Sequence, residues 1–183
     1  MPELLEIKLY GSNILSQKAN EVSEITPELD ALIENMIYTM YALDGVGLAA
    51  PQVGVSKRIF VCDPDYSKTE KKKPIILINP EFTKYEGEYR VDEGCLSVPG
   101  IFEEVIRFQK VFMSYKDIKW NNRTIVAEDT FAVILQHEYD HLEGKTFVEK
   151  LNPIKRMGIA FKLNRLIKKA QQMSNDLTIL EHD

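Results

Sequence analysis

The sequence predicts an α+β fold, in which mixed or antiparallel strands pack around a central helix, with one further helix towards each terminus. Segments with helical periodicity occur near the start, after the middle and near the end of the chain. The strand-like segments cluster between the first two helices without regular alternation. The 183 residues, 44% hydrophobic and 28% charged, are typical of one globular domain. We expect this domain at residues 1–173 and a flexible tail at 174–183.

The first helix begins at Thr26, a good capping residue, with Pro27 at the first helical position. Apolar residues then recur at helical spacing and predict one buried face. They are Leu29, Leu32, Ile33, Met36, Ile37, Met40 and Leu43. Gly45 ends this pattern, and segment 45–52 contains too much Gly and Pro for a helix.

Five strand-like segments follow, most of them apolar or alternating in polarity. They are 58–62, 74–78, 81–91, 105–115 and 123–127. Asn121 and Asn122 predict the last hairpin turn, because Asn tolerates the left-handed conformation. Asp129 or Thr130 can then cap the central helix, for which Gly144 is the predicted stop.

The final helix begins at Asn152-Pro153 and is expected to end near Met173. Segment 153–170 contains six basic residues and no acidic one. Because the whole chain has a net charge of −5, the remainder carries −11. Such a helix can contact an anionic partner, although a solvated helix face explains the same pattern.

Composition also bears on location. No apolar run approaches the ~18 residues that span a bilayer, and Glu3 and Glu6 stand where a signal peptide would be basic. The two cysteines are too few for a disulfide scaffold. We therefore expect a cytoplasmic protein with no membrane partner. An organellar chain that had lost its transit peptide would give the same pattern.

The central helix carries a His-Glu-x-x-His motif, from His137 to His141. Positions i and i+4 share one helix face, so both imidazoles can bind one metal ion, with Glu138 beside it. The chain has only three histidines, which makes an accidental match improbable. We therefore predict that the central helix is a metal-binding helix.

A catalytic site of this type usually needs a third protein ligand. Phe147 stands where a metzincin would place its third histidine, and segment 153–170 offers no acid for a thermolysin-like ligand. An upstream ligand remains, and Cys95 is the candidate because Gly94 and Pro99 mark an irregular segment. Cys62 lies in an apolar strand and is expected to be an inert core residue.

The glycine segment formally matches a dinucleotide fingerprint, as Gly45-x-Gly47-x-x-Ala50. That fingerprint requires a strand before it and a helix after it, whereas here a helix precedes it and Pro51 follows. We reject nucleotide binding. The segment instead favours a loop whose backbone approaches a ligand closely, with the Gln52 amide available for hydrogen bonds.

Together, three segments resemble the motifs of the peptide deformylase family. These motifs are G-Φ-G-Φ-A-A-x-Q, E-G-C-Φ-S and Q-H-E-x-D-H, where Φ is apolar, and they occur without mismatch at 45–52, 93–97 and 136–141. The C-terminal helix is similar to that of the type I branch. The resemblance implies a bacterial enzyme that removes the formyl group from the N-terminal formyl-methionine of newly synthesised proteins and releases formate.

The resemblance also implies the metal site. Cys95, His137 and His141 would bind one divalent ion, with water as the fourth ligand. Fe²⁺ is the typical physiological metal of the family, and Zn²⁺ or Ni²⁺ can replace it. A site with one Cys and two His ligands suits zinc equally well, so the residues themselves do not choose between these metals.

The resemblance assigns the remaining groups as well. Glu138 would move the proton from water to the leaving amine, while the Gln52 amide and the Leu96 backbone N–H would hold the oxyanion. Gln136 and Asp140 are expected to orient the histidines. The expected substrate-binding residues, of which Leu48 also suits the core, are Val46, Gly47, Leu48, Val133 and Ile134.

On this interpretation the partners are the N-formylmethionyl nascent peptide and the ribosome, with no DNA partner. The ribosome contact would use one face of helix 153–170, formed by Lys155, Lys162, Arg165 and Lys169. The alternative function is a metalloprotease that cuts internal peptide bonds, which would need a long open cleft and a His or Glu third ligand. A metal-stapled binding module would leave Glu138 without a role.

Overall fold

A five-stranded antiparallel sheet and a separate two-stranded hairpin enclose the central helix. The computed structural model describes residues 1–69 and 71–180. Its helices are α1 (Pro27–Ala42), α2 (Tyr66–Thr69), α3 (Asp129–Leu142) and α4 (Pro153–Leu180). Its strands are β1 (Gly47–Ala49), β2 (Ile59–Cys62), β3 (Ile75–Glu86), β4 (Tyr89–Cys95), β5 (Val98–Arg107), β6 (Lys110–Lys116) and β7 (Asn122–Glu128). The large sheet has the order β1-β2-β3-β6-β7, and β4 pairs with β5, which confirms the α+β class.

Helix α1 begins where its cap predicts. The Thr26 side chain accepts a hydrogen bond from the Leu29 backbone N–H at 3.3 Å, and Pro27 takes the first helical position. The predicted apolar face packs on β1 and β2 through buried residues that include Ile33, Met36 and Met40. The helix stops at Ala42, before the predicted Gly45, because the chain turns left-handed at Asp44 with φ 53°.

Several predicted strand boundaries are wrong. Segment 81–91 is divided between β3 and β4, where Gly87 turns left-handed with φ 67°, and β5 begins at Val98 instead of at residue 105.

Two further boundaries are decided by side chains of other elements. Strand β3 continues through Asn79 and Pro80 with an irregular register, because the Asn79 side chain bonds both the N–H and the carbonyl of Val22, at 2.9 and 2.7 Å. Segment 105–115 is two strands, interrupted at 108–109. The backbone of Phe108 there bonds to the side chain of Gln136 on α3, which takes it out of the strand pairing.

The last hairpin turn is displaced by one residue from its prediction. Trp120, not an asparagine, adopts the left-handed conformation, with φ 64°. The Asp117 carboxylate holds the turn by accepting hydrogen bonds from Arg123 Nε at 2.7 Å and from the Asn121 backbone at 2.9 Å. These bonds, led by the one from Arg123, lower the pKa of Asp117 to about 2.

Helix α4 packs on the β4–β5 hairpin through Ile159 and Leu163, both buried. Its predicted cap is confirmed, since Asn152 Oδ1 accepts a hydrogen bond from the Lys155 N–H at 2.9 Å. The helix continues to Leu180, past the predicted end near Met173, so much of the expected tail is helical; residues 181–183 lie outside the described residues. None of the helices in the described ranges combines the length and apolar character of a membrane span.

Alanine substitutions at two glycines should change the stability of the fold in opposite directions and so test this packing. Gly144 has φ 68°, and a methyl group there would lie 2.8 Å from the backbone of Ser16 and Gln17. Gly144→Ala should therefore lower the free energy of unfolding by about 2 kcal/mol or more. Gly158 lies in α4 with open space around it, so Gly158→Ala should raise this free energy by ~0.5–1 kcal/mol. Urea unfolding of both variants measures the two shifts, and shifts of equal sign would contradict this account.

Candidate metal centre

One sulfur and two imidazoles converge where α3 faces the turn after β4. Cys95 ends β4, and His137 and His141 occupy successive turns of α3. Their potential ligand atoms all lie within 4.8 Å of one another, and Cys95 Sγ is 3.3 Å from His141 Nε2. The structure thus brings together the three residues that the sequence proposed as ligands.

The donor chemistry of these residues fits a divalent ion. Burial lowers the pKa of His141 well below its ordinary value, which keeps the imidazole neutral and its lone pair free. Burial opposes protonation of His137, but Cys95 and Glu93 outweigh it and raise its pKa well above the ordinary value, so a bound ion would displace that proton. In the metal-bound state, a thiolate with two neutral imidazoles would suit zinc or iron(II). Glu138 Oε2 is buried without a hydrogen-bond partner among the described residues. Buried polar atoms normally have a partner, so this oxygen is suited to a hydrogen bond with a bound molecule.

Two residues without a predicted role support His137. Its Nδ1 lies 2.7 Å from Glu93 Oε2, and Arg107 donates to both oxygens of Glu93, at 2.6 and 2.9 Å. Burial opposes ionisation of Glu93, but the bonds from Arg107 and His137 outweigh it and lower its pKa to about 2. The ionised carboxylate therefore accepts the Nδ1–H of His137 and directs the other ring nitrogen at the site.

The sequence contains some indication that Glu93 and Arg107 support His137. Glu93 opens the segment 93–97 that carries Cys95, and a carboxylate next to a candidate ligand is a natural partner for an imidazole. Arg107 stands between Ile106 and Phe108 in a strand-like segment, and a buried arginine needs an acidic partner. Neither signal identifies the pairing, because β4, β5 and α3 meet only in the folded chain.

Gln136 and Asp140, expected to orient the histidines, act on α3 by other contacts. Gln136 Oε1 accepts from the Phe108 N–H at 3.0 Å, and its Nε2 donates to the Phe108 carbonyl at 2.8 Å. Asp140 pairs with Arg107 and, at 3.3 Å, with Lys150 Nζ. In the described contacts, Gln136 fixes α3 to the β5–β6 connection, and Asp140 reaches His137 only through Arg107 and Glu93 in turn.

Glu138 lies next to the ligand set and against the glycine segment. It is buried, and burial raises the pKa of its carboxyl to about 7. A methyl group on Gly47 would collide with Glu138 Oε1 and its carboxyl carbon. Glycine at position 47 therefore leaves room for the observed position of the Glu138 carboxyl, which a larger residue would push aside, whereas the Gly47 backbone itself is not left-handed.

Gln52 is oriented by the same glycine segment. Its Oε1 accepts from the Ala49 N–H at 2.8 Å, so its Nε2 must face the other way. That nitrogen lies 3.4 Å from both Cys95 Sγ and Ser97 Oγ. Leu96 follows Cys95 in the turn between β4 and β5 and lines the cavity at the site.

A cavity of about 490 Å³ opens over Cys95 and His137, two of the three candidate ligands. Four of the five expected substrate-binding residues line it, together with Glu138: Val46, Gly47, Val133 and Ile134. Leu48 is the exception, because its side chain is fully buried in the core that joins β1 to α1. Successive side chains of a strand face opposite sides, which is why residue 48 points away from the site.

The two cysteines provide a test of the ligand set. Cys95→Ser should weaken Zn²⁺ binding at least ~10-fold, because a hydroxyl replaces a soft thiolate. Cys62 is fully buried in β2, where burial raises the pKa of its thiol, so Cys62→Ser should leave Zn²⁺ affinity unchanged in the folded protein. Competition with a chromophoric chelator measures both affinities. Loss of zinc from Cys62→Ser alone would show that the ligand set is wrong.

Known proteins share this sequence and architecture. The family model described as polypeptide deformylase matches residues 4–157. The peptide deformylase of Endomicrobium trichonymphae is 44% identical over 161 residues, 88% of this chain and 94% of its own. That of Fusobacterium nucleatum is 43% identical over 174 residues, 93% of this chain and 97% of its own.

Solved structures of peptide deformylases have the same architecture as this chain. A peptide deformylase from Legionella pneumophila superposes with a TM-score of 0.82 at 38% identity, covering 94% of this chain and 98% of that one. Arabidopsis thaliana peptide deformylase 1B, solved with an inhibitor, gives 0.87 at 37% identity, covering 93% and 94%. From the family match and these relatives, the chain belongs to the polypeptide deformylase family.

Proposed function

We propose that this chain hydrolyses the N-terminal formyl group of N-formylmethionyl peptides and releases formate. The observation that carries the proposal is the unpaired, buried carboxylate of Glu138, which lines a cavity beside the Cys95, His137 and His141 cluster. Family membership and relatives named peptide deformylase support the same reaction. The metalloprotease alternative is not favoured, because the third residue of the cluster is a cysteine.

Cys95, His137 and His141 would hold one divalent ion, which we propose to be Fe²⁺ in the cell, with Zn²⁺ or Ni²⁺ able to replace it. Such an ion supplies Lewis-acid chemistry at the formyl group and its attacking water. The Arg107–Glu93 pair keeps His137 in the orientation that this binding needs.

Glu138 would perform the proton transfers. A carboxyl with a pKa near 7 can accept a proton at neutral pH and give it up again. Water would add to the formyl carbon while Glu138 takes its proton, and the same proton would pass to the nitrogen as the C–N bond breaks. The products are formate and a free N-terminal amine.

Gln52 and Leu96 would stabilise the charge that develops on the formyl oxygen. The Gln52 amide is already held with its N–H₂ group towards the site, so it needs no reorientation during the reaction. The backbone N–H of Leu96, which follows Cys95, would be the second donor. Donors fixed in advance are the most effective, since no solvent must reorganise around them.

The peptide would bind as an added strand. Among the described strands, β1 is an edge of the large sheet and pairs with β2 alone, which leaves the backbone of Gly47 available to an extended peptide. The Val46 carbonyl already accepts from the Asp63 N–H at 2.9 Å, so Val46 would contribute through its side chain in the cavity. The methionine side chain would enter the apolar part of the cavity, between Val133 and Ile134. The backbone contact is independent of substrate sequence, as an enzyme acting on many nascent chains requires.

The cellular setting stays a prediction. The bacterial relatives support a bacterial cytoplasmic protein that meets its substrate near the ribosome. Of the four residues predicted to contact the ribosome, Lys155 is already engaged, with its Nζ 3.6 Å from Glu104 and 4.0 Å from Glu103. The other three residues are exposed.

The decisive assay is formate release from a formyl-Met tripeptide. We expect release by the metal-loaded protein, its loss after treatment with a chelator, and its recovery when Fe²⁺ or Ni²⁺ is restored. An unformylated peptide of ten or more residues serves in parallel as a protease substrate. Cleavage of that peptide without formate release would favour the metalloprotease.

Glu138→Gln should retain the bound metal and lose most formate release, by ~10²-fold or more, because proton transfer is lost in both directions. Metal content and kcat are measured on the same preparation. Glu34→Gln, on the exposed face of α1, is the matched control and should retain full kcat. Near-normal turnover in Glu138→Gln would remove this residue from the mechanism.

A further inference from the structure

A groove runs between β5 and α4 beside the catalytic cavity. Its apolar residues are Pro99 and Ile101 from β5 and Leu166 from α4. The remaining lining residues come from α4 and are polar: Lys162, Arg165, Lys168, Lys169 and Gln172. The groove therefore combines an apolar side with a strongly cationic one.

The four cations of this groove are exposed, and none forms an ion pair with another described side chain. Lys155, about two turns earlier, differs because Glu103 and Glu104 neutralise it. Four unpaired positive charges on one groove of an otherwise acidic protein produce a local field that attracts anionic groups. All the α4 residues that line the groove lie beyond residue 157, where the family match ends.

The groove continues the catalytic cavity. Pro99 lines both the cavity and the groove and is itself exposed, so it lies at the boundary between them. Charge reverses at this point, because the cavity is lined by Asp44 and Asp92 and by no lysine or arginine. A chain that leaves the cavity over Pro99 passes from a negative to a positive surface.

We propose that this groove binds the part of the nascent polypeptide that follows the residues held in the cavity, and that it favours acidic side chains there. The inference rests on the proposed function, since the occupant is the deformylase substrate itself. The α4 wall from Lys162 to Gln172 covers roughly 15 Å of helix. An extended peptide of about four or five residues has the same length.

A polypeptide fits this groove better than RNA does. An RNA backbone requires cations but not the apolar side, which Pro99 and Leu166 form above the buried Ile101. A peptide uses both, with its apolar atoms on that side and its carboxylates on the cations. The shared Pro99 also leads to the cavity that receives the peptide N-terminus, whereas nothing in that cavity selects a nucleic acid.

The test compares a formyl-Met tripeptide with two formyl-Met octapeptides that carry Glu or Gln at positions 5–8. At low salt, KM for the Glu octapeptide should be about threefold or more below that for the Gln octapeptide, with similar kcat. The groove variant Lys162→Gln/Arg165→Gln/Lys168→Gln/Lys169→Gln should lose this difference. Its activity on the tripeptide should stay normal, since none of the four residues lines the cavity.

A control variant carries the same change of charge away from the groove: Lys57→Gln/Lys71→Gln/Lys119→Gln/Lys145→Gln, all exposed positions. It should keep the preference for Glu. Equal KM values for the two octapeptides in the unmodified protein, or a preference that survives in the groove variant, would overturn the inference. Failure to release formate from the tripeptide would instead overturn the proposed function.

An RNA oligonucleotide provides the remaining comparison, by fluorescence anisotropy against the labelled Glu octapeptide product. Tighter peptide binding in the unmodified protein than in the groove variant supports the inference. RNA binding that needs the four cations, without any discrimination between Glu and Gln peptides, would assign the groove to RNA.

Discussion

The arrangement of the site depends on one buried guanidinium. Arg107 lies between Glu93 and Asp140, and all three side chains are almost fully buried. Ionised groups removed from water must be paired, since an unpaired one costs several kcal/mol. Because Glu93 is on β4, Arg107 on β5 and Asp140 on α3, this requirement joins the separate hairpin to the central helix. Cys95 reaches the histidines as a consequence.

A second buried arginine holds the opposite side of α3. Arg58, on the segment leading into β2, pairs with Glu143 at 2.6 Å and Glu81 at 2.8 Å, and its guanidinium lies 5.4 Å from the centre of the Tyr139 ring. The metal-facing and sheet-facing sides of the helix thus each have an ionic anchor. Apolar packing tolerates small sliding movements, whereas these directional contacts define the position of α3 along its own axis.

Much of this architecture could be predicted from sequence. Local rules located α1 and α4, because the caps at Thr26 and Asn152 depend only on neighbouring residues. They failed where a distant group decided the backbone, as at Asn79, bound to Val22, and at Phe108, bound to α3. The two histidines followed from their helical spacing, and Cys95 from the elimination of other ligands and from motif resemblance. The support from Arg107 did not, since ion pairing across three elements leaves no periodic pattern in the chain.

The close approach of Gly47 to Glu138 has an evolutionary consequence. Because a methyl group at position 47 and the full-length carboxylate at position 138 would occupy the same space, the two positions cannot vary independently. A larger residue at position 47 would either push the Glu138 carboxyl aside or require a shorter residue at position 138. Both changes remove the group proposed to carry the proton from its place, which limits the substitutions open to this pair of positions.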